Sequence, residues 1–456
     1  MLKVRNIFEN PLRINFNSPQ ENFTLYWNSF LESKLGSLYI SIPWMDLVKM
    51  LNIKVSNSGR NSIFSPRGKI ALMFLKSYTG LSDQKLLEQI NANYEYQFFC
   101  DIEIHPENKL TNFKIISDIR VELASKLNIK SAQKVLASAW KVYMKFTDSV
   151  LEDATCYETA MRYPTDVKLL WESCEWVYGQ IKRINKIIKG RMPRSKFSEQ
   201  KSKYLSYSRE RKKSYKKTQR RKKSLLYLLE KLIGQLTDIQ KLLPEACSMP
   251  EKFYVRVKTI ETVLEQQLKL YSGGKISDRI VSISKSYIRP IVRGKETKSV
   301  EFGAKANIVQ VDKINFIEHI SFDAFNEGTR LKSSIYFTQE LLHTKVRLIG
   351  ADAIYATNAN RRFCKESNII TGFVRKGRAG KHEDNLKAVR KVINIKRSTE
   401  MEGSFGTHKN HYSLNKIKAR TKATELLWIF FGIHTANAVE IGKRIKATET
   451  KTKSRA

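Results

Sequence analysis

Three acidic residues of this chain stand where an acid can take part in chemistry. Asp352 ends a short apolar segment, VRLIGAD, that is typical of a β-strand. An acid at the carboxyl end of a strand faces the crevice where α/β sheets bind ligands. An earlier acid, Asp153 in VLEDATCYE, is also interpreted as ending a strand, which is predicted from Ser149 to Tyr157. Glu402 begins a predicted helix, and Lys409 follows it by two turns on the same face.

Such acids would need a cation. Carboxylates on neighbouring elements repel one another, so three of them in one place are unfavourable unless a cation binds. Two Mg²⁺ or Mn²⁺ ions, held about 3.5–4 Å apart, can activate a water and stabilise the leaving oxygen of a phosphoryl transfer. We therefore take Asp153, Asp352 and Glu402 as candidate catalytic residues and metal ligands. The simpler interpretation is that each acid alone caps a helix or carries surface charge.

The composition indicates a polyanionic partner. The 456 residues contain 82 Lys and Arg against 44 Asp and Glu, a net charge of +38. Basic side chains that neutralise phosphates release counterions, so nucleic acid is the expected partner. Hydrophobic residues make up 41% of the chain, which allows two or three domains with their own cores. A basic ribosomal component, the alternative, is usually shorter and poorer in large apolar residues.

Other classes of protein fit the sequence less well. The five cysteines form no Cys-x-x-Cys pair, which argues against structural zinc and a disulfide framework and favours a reducing cytoplasm. The start, MLKVRNIFENPLRINF, lacks the apolar run of a signal peptide. The longest apolar stretch, Leu426 to Ile441, is interrupted by His434 and Asn437, so it predicts a buried helix and no membrane span.

The charge is densest between Lys182 and Lys223. This stretch has 19 Lys and Arg against two Glu, with three tyrosines interleaved. Lysines outnumber arginines in it, which favours contacts to phosphates over base recognition. An ordinary solvated face is the alternative. The residues we expect to bind DNA here are Arg211, Lys212, Lys213, Lys216 and Lys217.

Hydrophobic periodicity divides the chain into four parts. Residues 1–135 have helical spacing, with a helix start near Pro66 and a predicted cap at Ser82. Residues 140–165 and 276–446 contain the predicted strands and form one interrupted domain.

Between the two parts of that domain, residues 166–275 predict a helical hairpin with a basic connection, and residues 447–456 predict a flexible tail. After residue 276 the period becomes two. The segments that predict strands there are RIVSIS, VEFGAKANIVQVD and INFIEHISFDAF.

Four segments together resemble a known family. Asp-Ala-Thr at Asp153, Ala-Asp-x-x-Tyr at Asp352, and Glu-Gly-x-Phe-Gly-x-x-Lys from Glu402 to Lys409 occur in this order. With the segment DRIVSI…YIRPIVRGK…EFGAK, residues 278–305, they resemble DDE transposases of bacterial insertion sequences. Glu402 and Lys409 resemble the end of the YREK signature in that superfamily. The likeness extends from about residue 60 to 440.

The resemblance implies a fold. DDE transposases have an RNase H-like core, a mixed five-stranded sheet flanked by helices. Their acids lie on the first strand, after the fourth strand and on a later helix. Two other acids could take the first position, Asp312 and Asp278, but either leaves too few strands before Asp352. The expected fold is therefore an α+β or α/β RNase H-like domain, interrupted by a helical insertion and preceded by an all-helical domain.

The resemblance also implies a function. A transposase of this class cleaves double-stranded DNA at the terminal inverted repeats of its element, and a 3′-hydroxyl then attacks target DNA. Two Mg²⁺ or Mn²⁺ ions would be its cofactors, and a homodimer would form in the synaptic complex, in the bacterial cytoplasm on the nucleoid. The alternatives are an inactive transposase-derived DNA-binding protein and an RNase H-like nuclease without strand transfer.

Two basic residues near Glu402 are expected to bind phosphate beside the scissile bond. Lys409 fits the signature. The arginine of the signature should stand at residue 398, where this chain has serine, so Arg397 is only a phosphate-binding candidate. Solvated charges are the alternative for both.

Further polar residues near these motifs have competing interpretations. Tyr355 could stack on DNA, support the site or belong to the core. His408 and His411, at i and i+3, could bind a metal, although DNA contact or plain surface is favoured without a third ligand. We expect Asn358 and Asn360 to cap the helix after Asp352.

Overall fold

The computed structural model describes residues 19–53, 62–105, 107–244, 247–292, 300–378 and 383–453. The expectation that the chain lacks a signal peptide falls on residues outside these ranges. So does part of the segment 278–305 and of the Lys-, Arg- and Gly-rich loop after Val374.

The regular elements described within the first 140 residues are all helices. The helices are α1 Pro19–Glu32, α2 Lys34–Ile40, α3 Trp44–Met50, α4 Pro66–Thr79, α5 Asp83–Ala92, α6 Tyr94–Phe99, α7 Lys114–Lys126 and α8 Ile129–Trp140. Serine caps begin three of them: Ser33 Oγ accepts the Gly36 amide, Ser65 Oγ the Gly68 amide and Ser82 Oγ the Lys85 amide. The predicted helix starts at Pro66 and after Ser82 are thus confirmed.

A mixed sheet occupies the middle of the protein. Its described strands are β1 Ser149–Glu158, β2 Pro290–Val292, β3 Val300–Val311, β4 Ile314–Ser321, β5 Leu348–Ala351 and β6 Ile370–Thr371. Their order is β2-β3-β1-β5-β6, and β4 also pairs with β3. The pairs among β2, β3, β4 and β1 are antiparallel, whereas β1, β5 and β6 run parallel.

Helices cover both faces of this sheet. They are α13 Leu331–Leu342, α14 Asn358–Glu366, α15 Glu383–Lys396, α16 Glu402–His411 and α17 Lys422–Lys453. Val150 of β1 packs into a core shared with the N-terminal helices, while its neighbour Leu151 packs into a core shared with α16 and α17. Consecutive strand residues point to opposite faces, so β1 is buried on both sides.

Two side-chain amides close part of the outer edge of β4. Gln133 of α8 accepts the Ile317 amide at 2.6 Å and donates to the Ile317 carbonyl at 2.9 Å. Asn437 of α17 makes the same pair with Asn315, at 2.9 and 2.7 Å. Backbone groups at a sheet edge need partners when buried, and these amides supply them. They also fix α8 and α17 against the sheet.

The segment after β1 is a separate helical layer. Its helices are α9 Asp166–Ile188, α10 Phe197–Arg209, α11 Tyr215–Gln240 and α12 Glu251–Tyr271, with a core of their own. The Asp166 carboxylate binds Lys222 of α11 and Arg279 of the following segment, and accepts a hydrogen bond from Gln267 of α12. One residue therefore ties three helices of the layer to the chain that leads back to the sheet.

Three expectations about the fold need correction. RIVSIS, residues 279–284, forms no strand, because Ile280 and Ile283 pack into the helical layer and Val281 into the sheet core. The described sheet has six strands and not five, since the short β2 joins the edge of β3. Helix α17 continues to Lys453, through most of the segment expected to be a flexible tail.

Candidate active site

Parallel pairing of β1 with β5 places two of the predicted acids next to each other. Glu152 pairs with Ala351 in this ladder, and the next residues along the two strands are Asp153 and Asp352. Adjacent strands lie about 4.8 Å apart, so the two carboxylates start from neighbouring backbone positions. The sheet thus brings together residues almost 200 positions apart in the sequence.

Each of these acids is oriented by the amide of the residue that follows it. Asp153 Oδ1 accepts the Ala154 amide at 2.8 Å, and Asp352 Oδ1 accepts the Ala353 amide at 2.7 Å. Asp352 thereby caps a short 3-10 helix, Ala353–Tyr355. In both residues the other oxygen, Oδ2, lies outside this local bond.

Arg397 lies between the two carboxylates. One terminal nitrogen is 3.6 Å from Oδ2 of Asp153, and the other is 3.8 Å from Oδ1 of Asp352. Arg397 begins a five-residue π-helical turn, Arg397–Met401, that joins α15 to α16. Such turns are rare and occur frequently at functional sites. A single guanidinium group therefore interacts with both carboxylates.

The two acids differ in their surroundings. The Asp153 side chain is largely buried and that of Asp352 is about half exposed. Burial, assisted by the nearby carboxylates of Glu327 and Asp352, raises the pKa of Asp153 to about 6. The Ala154 amide and Arg397 act in the opposite direction. The pKa of Asp153 therefore lies much nearer to neutral pH than that of an ordinary aspartate.

The third predicted acid lies on the helix that follows Arg397. Glu402 is the first residue of α16 and is exposed. Lys409, two turns later, points toward the sheet and donates to Thr155 Oγ1 at 3.1 Å. Within the described ranges, no three His, Cys, Asp or Glu side chains lie close enough together to hold a metal ion. Two of the three predicted acids therefore meet at Arg397, and Glu402 begins the helix that follows the Arg397 turn.

Two parts of the chain match transposase family models. Residues 29–122, in the helical N-terminal region, match the family described as "Transposase domain (DUF772)". Residues 349–434, from β5 into α17, match the family described as "Transposase DDE domain". The two matches together support a DDE transposase of an insertion sequence. DNA cleavage and strand transfer are the general activity of such proteins.

The second match contains most of the predicted site. Asp352, Arg397, Glu402 and Lys409 all lie in the transposase DDE domain, whereas Asp153 precedes it. The helical layer between β1 and β3 lies outside both matched segments. No curated protein and no solved structure matches the transposase. Among the described residues, no helix is long and apolar enough to cross a membrane.

The structure decides between the interpretations of several nearby residues. Tyr355 is fully buried, so it belongs to the core of the transposase and is not exposed for stacking on DNA. His408 is also buried, with Nδ1 3.2 Å from the Tyr157 hydroxyl, and burial lowers its pKa to about 3. The preference for His408 as a surface or DNA-contacting residue was therefore wrong, because α16 turns this face toward the sheet. His411 is exposed at the end of α16.

The expected asparagine caps were also wrong. Thr357 is the N-cap of α14, with its hydroxyl accepting the Asn360 amide. Asn360 is turned inward and donates to the carbonyls of Gly328 and Tyr355. Asn358 accepts a hydrogen bond from Lys376.

The rival first acids have other partners. Asp312 lies in the β3–β4 turn, where it accepts the Lys145 amide and pairs with Arg444 at 2.7 Å. Asp278 is exposed and pairs with Arg289. Neither contact involves the junction that holds Asp153.

A buried acid beside Asp153 was not singled out in the sequence. Glu152 is fully buried and accepts hydrogen bonds from Asn307 and Ser334 on the face opposite Asp153. Burial raises its pKa to about 8, and its hydrogen-bond donors oppose this. There was one signal for Glu152 in the sequence: it stands in a predicted strand among apolar residues. In a strand buried on both faces, an acid must be buried too and needs hydrogen-bond partners.

The basic stretch of the transposase covers the end of α9, all of α10 and the start of α11. Arg211, Lys212 and Lys216 are exposed there. Lys213 donates to the Glu210 carbonyl, and Lys217 lies 3.3 Å from the Glu210 carboxylate. These five residues therefore form an exposed basic corner of the helical layer.

The three tyrosines of this stretch differ in exposure. Tyr204 stacks on Trp171 inside the layer, and the Tyr207 hydroxyl lies 3.0 Å from Thr218 Oγ1. Tyr215 is 77% exposed, so of the three only this ring is largely open to a ligand.

Proposed function

We propose that Asp153, Asp352 and Glu402 are the catalytic acids with which this transposase cleaves DNA at the ends of an insertion sequence and joins them to target DNA. The observation that carries the proposal is the pair of adjacent carboxylates around Arg397, on strands β1 and β5. Two acids held this close favour a site for positive charge. Glu402 completes the set from the helix that continues the Arg397 turn.

An RNase H-like catalytic domain is part of the proposal. Strands β4, β3 and β1 form an antiparallel half, and β1, β5 and β6 form a parallel half. The proposed acids then lie on the first strand, after the strand β5 and on a later helix, in the order expected for this class. The domain would consist of residues 140–165 and 276–446, with 166–275 as an insertion and 1–135 as the N-terminal domain.

The residues present suit divalent cations of the Mg²⁺ or Mn²⁺ type. Asp153 and Asp352 offer carboxylate oxygens, which are the ligands that these hard cations prefer. The guanidinium of Arg397 already lies where both acids can share one cation. Two bound ions would activate water and stabilise the leaving oxygen. Glu402 would join the ligands once its helix lies against the DNA-bound site.

Basic side chains would hold the DNA. Lys409 and Arg397 lie on either side of Glu402 and would bind phosphates near the scissile bond. The exposed corner of the helical layer and the N-terminal domain would bind the terminal inverted repeats and the target duplex. A homodimer would pair two element ends in the synaptic complex, in the bacterial cytoplasm on the nucleoid.

Cleavage and joining of element ends by the purified protein test the proposal. The substrates are duplexes with the inverted repeats that flank the gene and a scrambled control, with Mg²⁺. We expect cleavage at the repeat terminus and joining of the 3′-hydroxyl end to a plasmid. Cleavage without joining would indicate an RNase H-like nuclease. Binding without cleavage would indicate an inactive DNA-binding descendant.

A further inference from the structure

A buried chain of hydrogen bonds connects the strand of Asp153 with the turn that follows Asp352. The Tyr355 hydroxyl donates to Asn307 Oδ1 at 2.6 Å. Asn307 Nδ2 donates to Glu152 Oε1 at 2.8 Å. The side chains of Tyr355, Asn307 and Glu152 are all fully buried. In an interior of low dielectric constant such bonds are strong, and breaking one leaves an unpaired polar group.

The two ends of this chain bracket the proposed acids without touching them. Glu152 immediately precedes Asp153 on β1. Tyr355 is the last residue of the 3-10 helix that Asp352 caps. Asn307 of β3 pairs with Ala154 in the sheet, so its side chain starts beside β1. The asparagine thus links the backbone segments that carry the two acids.

Further contacts hold the chain rigid at both ends. Ser334 of α13 donates to Glu152 Oε1, and Asn307 Nδ2 also lies 3.0 Å from Glu318 Oε2. On the other side, Asn360 donates to the carbonyl of Tyr355 at 2.8 Å. These contacts restrict the side chains of Tyr355 and Asn307 to one conformation.

We propose that Asn307 and Tyr355 are positioning residues that set the separation of Asp153 and Asp352, an inference that rests on the proposed catalytic role of these two acids. A metal site works only when its ligands are held within about 0.5 Å of the productive geometry. The Tyr355–Asn307 bond is a direct side-chain connection between the sheet and the turn after Asp352. It acts on the carboxylates through the backbone and makes no contact with DNA, because both groups are buried.

Tyr355→Phe is the decisive variant, because it removes one oxygen and leaves the volume of the ring. Asn307→Ala removes the other partner of the same bond. Buried groups that orient metal ligands change metal affinity by about 10- to 100-fold when they are mutated. We expect both variants to need about 10- to 100-fold more Mg²⁺ for half-maximal cleavage, and most of the rate to return at saturating Mg²⁺. Direct Mn²⁺ binding, followed by electron paramagnetic resonance without DNA, should weaken by a similar factor.

Tyr287→Phe is the matched control. Its hydroxyl donates to the buried Glu425 at 2.9 Å, in a contact that involves neither acid of the site. We expect this variant to keep its Mg²⁺ requirement and Mn²⁺ affinity, and to lose thermal stability as Tyr355→Phe does. An equal loss of Mn²⁺ affinity in Tyr287→Phe would assign the effect to general destabilisation and overturn the inference.

Asp153→Asn separates failure of this inference from failure of the proposed function. If Asp153→Asn loses Mn²⁺ binding while folded Tyr355→Phe and Asn307→Ala bind Mn²⁺ like the wild type, the positioning role is wrong and the catalytic proposal stands. If Asp153→Asn itself binds Mn²⁺ and cleaves DNA normally, the proposed site is wrong, and the positioning role falls with it. Circular dichroism and thermal unfolding show which variants are folded.

Discussion

A terminal nitrogen of Arg397 lies 3.6 Å from Oδ2 of Asp153, in the position where a cation would neutralise that carboxylate. The same guanidinium reaches to 3.8 Å from Asp352. Arg397 is the first residue of a π-helical turn, Arg397–Met401, and Glu402 follows the end of that turn. Since two carboxylates and one guanidinium leave a net negative charge, a divalent cation should compete with Arg397 for the same oxygens.

Arg397→Met should therefore separate cation binding from catalysis. Without the guanidinium, Mn²⁺ should bind the DNA-free protein more tightly, by about tenfold, which corresponds to roughly 1.4 kcal/mol. Cleavage should nevertheless fall, because the side chain would no longer reach the phosphate near the scissile bond. Mn²⁺ titration without DNA and a cleavage assay at saturating Mn²⁺ measure the two effects.

Arg390→Met is the control for that experiment. Arg390 lies two turns earlier on α15, is as buried as Arg397, and pairs with Glu383 away from the two acids. Its loss should leave Mn²⁺ affinity unchanged. Weaker Mn²⁺ binding in Arg397→Met would contradict the competition, and would indicate that the arginine helps to build the cation site.

Substitution of the acids should abolish cleavage and leave DNA binding largely intact. Asp153→Asn, Asp352→Asn and Glu402→Gln each remove one negative charge and keep the shape of the side chain. Metal ligation needs the charge, whereas DNA binding depends on the basic surfaces. Gel shifts and cleavage assays on an element-end duplex, with Mg²⁺ and with Ca²⁺, measure both properties.

Asp278→Asn provides the comparison for these variants, since Asp278 is exposed and its carboxylate pairs with Arg289, away from the site. It should cleave like the wild type. Asp312→Asn should cleave too, with some loss of stability because Arg444 loses its ion pair with this carboxylate. If Asp312→Asn were inactive and Asp153→Asn active, the choice of the first acid would be wrong.

The raised pKa of Asp153 predicts how stability depends on pH. In the folded protein its pKa is about 6, against an ordinary value of 3.8, so the folded state holds this proton more tightly than the unfolded chain. Ionisation of Asp153 then opposes folding fully above about pH 6 and not at all below about pH 3.8. Asp153→Asn should be more stable than the wild type at pH 7.5, by at most about 3 kcal/mol, and the difference should shrink as the pH falls.

Thermal unfolding in chelator between pH 4.5 and 8 checks this dependence. Asp278→Asn should behave in the opposite way, because its hydrogen bond with Arg289 lowers the pKa of Asp278 and ionisation there favours folding. That effect should be small, since the side chain is largely exposed. A constant stability difference between Asp153→Asn and the wild type across the pH range would rule out the raised pKa.

Strong local patterns were sufficient to predict much of the fold. The strand predicted over Ser149 to Tyr157 differs from β1 by one residue, because its composition and the following Pro164 fix both ends. The strand predicted for RIVSIS was wrong for a physical reason. An alternating pattern also arises when an unpaired segment places successive apolar side chains into two different cores. In this segment the side chain of Gln266 accepts the Ile280 amide and donates to the Asp278 carbonyl, in place of a neighbouring strand.

The site was predictable only in part. Asp352 follows from a strand end, which the sequence reveals through an apolar run. The interpretation of Asp153 as a strand end was wrong, because β1 continues past it to Glu158. The partners of Asn307 and Tyr355 depend on which strands pair and on the turn after Asp352, and no local spacing encodes that. For the same reason the burial of His408 could not be predicted, since a helix face rich in polar residues was expected to meet solvent.

The exposed corner of the helical layer gives the last prediction. Replacing Arg211, Lys212, Lys213, Lys216 and Lys217 with Ala should weaken binding to element-end and random duplexes by similar factors. These side chains offer charge at an exposed turn, and phosphate contacts fix position without reading sequence. The slope of log affinity against log salt should flatten by up to about 0.9 for each lost phosphate contact. Cleavage at saturating DNA should persist, because the proposed acids are unchanged.

The matched control removes the same charge elsewhere in the layer, with five exposed lysines of α11, α12 and their connection. These are Lys231, Lys241, Lys252, Lys258 and Lys269. If DNA binds along the exposed basic corner, this control should keep more of its DNA affinity and of its salt dependence than the corner variant. Equal losses in both variants would mean that only the total charge of the layer matters. Loss of element-end binding alone in the corner variant would mean that this turn reads sequence, because uniform phosphate contacts cannot distinguish one duplex from another.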